Sequence, residues 1–258
     1  MDSLRELEER RRFECRLTPD RALGSPEEAR AFLADRGLLT RTEDSALPSL
    51  YGACHEPPYK PGSRGFGSWP ATKWPWFDAL AGLPGVYALK LHRGKHILLS
   101  EETAALADPM LRAELACFTT EDDAAARILD QLREAGPSTP AELCEELGWD
   151  AADLKRARTR LESAGVVVTR SVRVDLPSGR HGHASELTRW DQAFPEPSPH
   201  GGLDEVLVAA VRAAVVAPAH EVPRWFGRPG SVPADVVERL VRIGRLTCPA
   251  PGFVTVYR

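Results

Sequence analysis

The sequence contains no run of eighteen apolar residues, so it offers no segment long enough to cross a bilayer as a helix. Its opening stretch, "MDSLRELEERRRFECRL", is charged throughout and lacks the apolar centre of a leader, so no signal peptide is expected. The five cysteines (Cys15, Cys54, Cys117, Cys144, Cys248) are odd in number and form no C-x-x-C pair. That argues against a disulfide framework and a Cys-type zinc site, and it fits reduced thiols in the cytoplasm. Also missing are a nucleophile elbow, a P-loop, a dinucleotide fingerprint and an H-E-x-x-H run. Glutamine occurs only twice, at Gln131 and Gln192.

What is present is a globular composition: 258 residues, 43% hydrophobic and 27% charged, enough for two or three small domains. The net charge of −4 conceals segregation by sign. Residues 101–153 hold fourteen acids against three arginines, a balance of −11, whereas 154–184 hold seven bases against two acids, a balance of +5. The tail 221–258 adds six arginines against three acids, a balance of +3. Such segregation marks either solvated faces or a surface for a polyanion.

Helix starts are well signposted. "SPEE" (Ser25 to Glu28) and "TPAE" (Thr139 to Glu142) each place a hydroxyl N-cap before Pro, with Glu three residues after the cap. "DAAD" (Asp150 to Asp153) opens another helix. The N-terminal part reads as helices over 2–15 and 26–36, then a long connection over 46–73 too rich in Pro and Gly for regular structure. A helix near 74–83, a strand pair over "VYALKLHRGKHILLS" and a helix over 101–116 follow.

The middle is more specific. "DDAAARILDQLREAG", "TPAELCEELG" and "AADLKRARTRLESAG" read as three amphipathic helices, and "VVVTRSVRVDLPSGRHGHASELTRW" alternates about "PSGR" as a β-hairpin does. Three helices and a hairpin form the order of a winged helix-turn-helix, the third helix taking the recognition role and the hairpin the wing. The plan recurs after the Pro-rich linker "FPEPSPHGG". "LDEVLVAAVRAAVVA", "HEVPRWFG" and "PADVVERLVRIG" give the helices, and "RLTCPAPGFVTVYR" a terminal hairpin. "AADL" and "PADV" stand 82 residues apart at matching places, as in an internal duplication. The expected fold class is therefore mainly α with small β-hairpins (α+β), in tandem winged helix-turn-helix units. The expected divisions are 1–118 (an α/β region with a degenerate third copy), 119–193, a linker at 194–202 and a shorter unit at 203–258.

Over residues 25–190, "LPSLYGA", "WPWFDALAG", "VYALKLHRGKHILLS" and the unit after Asp122 give a chain that resembles the winged-helix proteins related to the AlkZ/YcaQ-type DNA glycosylases. That resemblance implies tandem winged helices gripping double-stranded DNA beside a small β-barrel, in a group whose catalytic members excise alkylated bases or unhook crosslinked ones. It also implies a Gln-x-Gln or Gln-x-Asp motif that orients the attacking water. Here Gln131 is followed two residues later by Arg133, and Gln192 by Phe194, so the motif is missing.

The expected DNA contacts are Lys155, Arg156, Arg158 and Arg160 on the exposed side of the recognition helix and Arg170, Arg173 and Arg180 on the wing. Lys90, Arg93 and Lys95, around a basic hairpin tip, complete the set. The cluster Trp69, Trp74, Trp76 and Phe77 suits base stacking or, as favoured here, a loop pinned by large apolar side chains. His181 with His183, and Cys54 with His55, lack the further ligands that zinc needs, so no metal or cofactor is expected. The reading is a cytoplasmic, non-catalytic binder of double-stranded DNA with no membrane segment. One alternative is a divergent glycosylase whose water is positioned by Asp78 or Glu56, near His55. Another is an interaction module that homodimerises through exposed Val232, Val241 and Phe253.

Overall fold

The computed structural model describes residues 3–119, 123–175, 181–227 and 232–256. Helix α1 (Leu4–Glu14) opens on a capping box at Ser3, and α2 (Pro26–Arg36) on Ser25, whose hydroxyl accepts the Glu28 amide. Gly37 ends α2 in the left-handed conformation. It leads at once into β1 (Leu38–Thr40), a three-residue strand too short to show the alternation by which strands are read. The connection beyond it is held by two 3-10 turns, Gly52–Cys54 and Gly65–Ser68, and by bridges pairing Thr40 with Ser49 and Pro58 with Pro70. Then come α3 (Trp76–Ala81), β2 (Val86–His92), β3 (Lys95–Ser100) and α4 (Glu101–Thr119). These strands form an antiparallel sheet in the order β1-β3-β2.

The middle segment holds α5 (Ala124–Ala135), α6 (Pro140–Leu147), α7 (Ala151–Ala164), β4 (Val167–Asp175) and β5 (His181–Arg189). Thr139 makes the second capping box, and Asp150 caps α7 by accepting the amides of Ala152 and Asp153. Its own core gathers Ile128, Leu129, Leu132, Leu143, Leu154, Leu161 and Leu187, from all three helices and the hairpin. Ser138, between α5 and α6, bridges to Leu187 of β5.

After the short α8 (Trp190–Ala193), segment 194–202 is fastened to α4. Arg112 donates to the carbonyl of Phe194 at 2.5 Å, Ser198 N to Asp108 at 2.8 Å and Gly202 N to the carbonyl of Leu106 at 2.8 Å. The last part comprises α9 (Leu203–Ala214), β6 (Ala217–Pro218), α10 (Val236–Arg242), β7 (Leu246–Ala250) and β8 (Phe253–Val256). "HEVPRWFG" forms a single 3-10 turn, Val222–Arg224, in place of the expected helix, because a proline sits inside so short a stretch. The sheet order is β6-β8-β7.

A common connectivity emerges from these pairings. In each part a segment following α2, α5 or α9 pairs with the last strand, which pairs with the strand before it: β1-β3-β2, Ser138-β5-β4 and β6-β8-β7. The α+β class read from the sequence is what the chain adopts. The largest core joins first and last parts, uniting Leu38, Leu89, Leu91, Ala107 and Leu111 with Val206, Val211, Trp225, Leu240 and Val254. The positions expected to be exposed at a dimer interface are not. Val232 is buried and Val241 half-buried in the core shared with Leu91, Val206 and Leu240, and Phe253 of β8 packs half-buried against the cluster that holds Leu7 of α1.

Candidate nucleic-acid interface and an adjoining polar cleft

Helix α7 directs Leu154, Ala157, Leu161 and Ala164 into the core, as its three- and four-residue spacing requires. The opposite side presents Lys155, Arg156 and Arg160. Arg156 donates to Asp153 at 3.1 Å, and Arg160 is paired with Asp123, the N-cap of α5, while lying over the Phe118 ring. Arg158, expected on the exposed side, is instead half-buried beside β2, 3.6 Å from the carboxylate of Glu162. One helical turn separates it from Glu162, so both fall on the flank where α7 meets the first sheet. Lys155 is exposed, and so are Arg170 and Arg173 on β4; among the described residues none of the three has an ion-pair partner. Arg180 lies outside the described residues.

Of the other bases, Lys90 donates to Glu162 at 2.7 Å. At the β2–β3 turn, Arg93 sits at φ 53° and donates to the carbonyls of Arg224 and Asp44, each at 3.3 Å. Lys95 pairs with Asp44, which also meets His92 Nε2 at 2.9 Å, while Nδ1 of that buried ring faces the carbonyl of Trp225 at 2.9 Å. Burial alone would raise the Asp44 pKa, but hydrogen bonds from His92 and Lys95 hold it down to about 2.

A second feature lies between α3, the first sheet and the β4–β5 hairpin. It is a cavity of about 170 Å³ lined by Arg41, Phe77, Asp78, His96, Thr169, Ser171, His183 and Ser185, among others. Arg41 directly follows β1, its amide bonded to the carbonyl of His96 on β3. Its guanidinium lies 4.1 Å over the Phe77 ring and 4.7 Å over that of Trp69, with one nitrogen 3.6 Å from Asp78. Burial, together with the positive charges of Arg41 and Lys90, pushes the His96 pKa down to about 3, so this imidazole is neutral at pH 7.

Asp78 is thus the carboxylate that the fold brings to the cleft. Glu56, the other candidate, accepts Thr72 Oγ1 at 2.6 Å and the amides of Thr72 and Lys73, which commits it to bracing the loop. The aromatic group acts likewise: Tyr51, Trp69, Trp74 and Phe66 pack against one another, and Tyr51 donates to the carbonyl of Trp74 at 2.7 Å. His55 is turned to the carbonyl of Arg16, and the buried Cys54 thiol, its pKa raised to about 11 by desolvation, points at the carbonyl of Leu50. His181 and His183 are exposed on β5. Among the described residues no three His, Cys, Asp or Glu side chains gather as a metal site, and no helix is long and apolar enough to cross a membrane. Arg41, His96 and Thr169 carried no motif; a lone arginine after Leu38, Leu39 and Thr40 has no signature until the loop and hairpin close over it.

The fold and its surfaces thus define an α+β chain in which one helix–sheet connectivity recurs, with a helix bearing exposed bases beside a polar cleft. No protein-family model matches the chain, and no curated protein matches it in sequence. Among solved structures it is similar to the Streptomyces sahachiroi DNA glycosylase AlkZ, with a TM-score of 0.56 and 14% identity over 99% of this chain and 70% of that one. At that identity the likeness is one of fold.

Proposed function

We propose that the chain is a double-stranded DNA-binding protein of tandem winged-helix type, acting without base excision. In this reading residues 119–193 form the principal winged unit, 203–258 a shorter one, and 1–118 a degenerate unit enlarged by the loop. Helix α7 serves as recognition helix and β4–β5 as wing. The observation that carries the reading is the placement of Lys155, Arg170 and Arg173, exposed and without carboxylate partners among the described residues, on one helix-plus-hairpin unit. Phosphate contact is made by unpaired cations of that kind. Arg156 joins them by exchanging the exposed carboxylate of Asp153 for a phosphate, which costs little because exposed ion pairs are weak. Arg160 joins by leaving the half-buried Asp123. The fold likeness to a DNA glycosylase supports DNA as the partner.

The test is duplex binding by the wild type and by a variant with Lys155, Arg170 and Arg173 all changed to Ala. The reading expects random-sequence duplex to bind at low salt and the variant to bind it at least about tenfold more weakly. Equal affinity of the two proteins would sink it. A base-release assay on alkylated duplex tests the glycosylase alternative, whose carboxylate would be Asp78. The binder reading expects no release.

A further inference from the structure

We propose that the cleft between α3, the first sheet and the β4–β5 hairpin is a binding site for a phosphate-class oxyanion, with Arg41 as its main ligand-holding residue. This goes beyond the DNA-binding reading, which rests on α7 and β4.

The cleft holds a buried donor that lacks an acceptor. The Arg41 side chain is only 15% exposed, yet among the described residues its guanidinium donates no hydrogen bond. Its interactions are the two rings and the 3.6 Å approach to Asp78, too long for a hydrogen bond. A buried Nε–H in that state is costly, and folded proteins ordinarily give such a group an acceptor. Contacts to Phe77 and Trp69 engage its π-faces and leave the N–H edges available.

A second observation is independent of Arg41. Thr169 on β4 is 5% exposed and lines the same cavity, and its hydroxyl has no hydrogen-bond partner. Ser171 of β4 and its cross-strand neighbour Ser185 of β5 add two more hydroxyls to the wall, and neutral His96 adds a ring nitrogen. A guanidinium with three hydroxyls around about 170 Å³ suits a tetrahedral oxyanion, which accepts from many directions. The cavity has room for a phosphoryl group and a small remainder. Asp78, 41% exposed, then has a defined part: it neutralises Arg41 in the unliganded protein and swings to solvent when the anion arrives.

The experiment is titration of the full chain with inorganic phosphate, and separately with sulfate, by calorimetry. The expected result is one saturable site for each. Thr169→Val keeps the shape of the side chain and removes a hydroxyl, so it should weaken phosphate binding about tenfold while leaving thermal stability unchanged or higher. Asp78→Asn removes the competing carboxylate and should tighten binding at least about threefold. Arg41→Met, whose stack with Phe77 is kept in part, should abolish binding. No saturable phosphate binding by the wild type overturns the proposal. So does binding that Thr169→Val and Asp78→Asn leave unaltered, since a purely structural Arg41–Asp78 pair would change stability alone. Repeating the titration with saturating duplex identifies the source of the oxyanion. Loss of phosphate binding places a DNA phosphate in the cleft, and persistence assigns it to a small molecule. Failure of the α7 variant to affect DNA leaves these outcomes readable, because phosphate binding is measured without DNA.

Discussion

Lys90 on β2 donates to the buried carboxylate of Glu162 on α7 at 2.7 Å, and Arg158 approaches the same oxygen to 3.6 Å. Two bases that sequence alone would turn towards DNA therefore tie the recognition-like helix to the first sheet. The pair fixes the face that α7 can offer, since rotation of the helix would break it. Removing Glu162 leaves two half-buried cations facing each other. Glu162→Ala is expected to cost about 3 kcal/mol, read as a lower denaturant midpoint at unchanged slope.

Asp108 makes the corresponding joint on α4. One oxygen accepts Trp190 Nε1 at 2.7 Å and Arg112 at 2.8 Å, and the other accepts the amide of Ser198 at 2.8 Å. Asp108→Ala strands a buried indole N–H and frees segment 194–202. A loss of about 3 kcal/mol is expected, with protease cleavage appearing in that segment.

Gly201 offers a finer test of the same attachment. Its φ is 134°, and a Cβ there would stand 2.4 Å from the carbonyl oxygen of Leu106. Gly201→Ala must displace backbone, so it should destabilise by about 2 kcal/mol, whereas the same change in a loose linker would be silent.

Acid stability divides into two windows. The His96 pKa falls from 6.5 to about 3 on folding. The unfolded chain thus binds the extra proton between those values, and the contribution of His96 is full above 6.5 and lost as pH drops towards 3. The Asp44 pKa is likewise depressed, from 3.8 to about 2, and its contribution is full above 3.8 and lost on descending through 2. His96→Gln should flatten stability between pH 6.5 and 4, and Asp44→Asn should flatten it only below pH 4. Denaturation curves across pH check both, and an unchanged profile for either variant contradicts the corresponding assignment.

The parts legible in the sequence were those governed by local rules. Ser25, Thr139 and Asp150 announced their helices because a cap is a contact within a few residues, and the β4–β5 pairing followed from alternation on either side of a turn. What stayed hidden depends on distant partners. Glu162 carries no sequence signal of its own, and its burial comes from Lys90 of β2, seventy-two residues away. Arg41 gained meaning only when Trp69, Phe77 and Thr169 arrived from three separate segments. Similarly, "FPEPSPHGG" has the composition of a tether, but Arg112, Asp108 and Leu106 of one helix hold it down.

The most direct test of the central claim is the slope of log affinity against log salt for random duplex, measured for the wild type and for the Lys155, Arg170 and Arg173 triple alanine variant. The account predicts a steep wild-type slope and a variant slope shallower by about 3, near one unit for each phosphate contact removed. A variant slope equal to that of the wild type, or a wild type that ignores duplex at low salt, would contradict DNA binding through α7 and its hairpin.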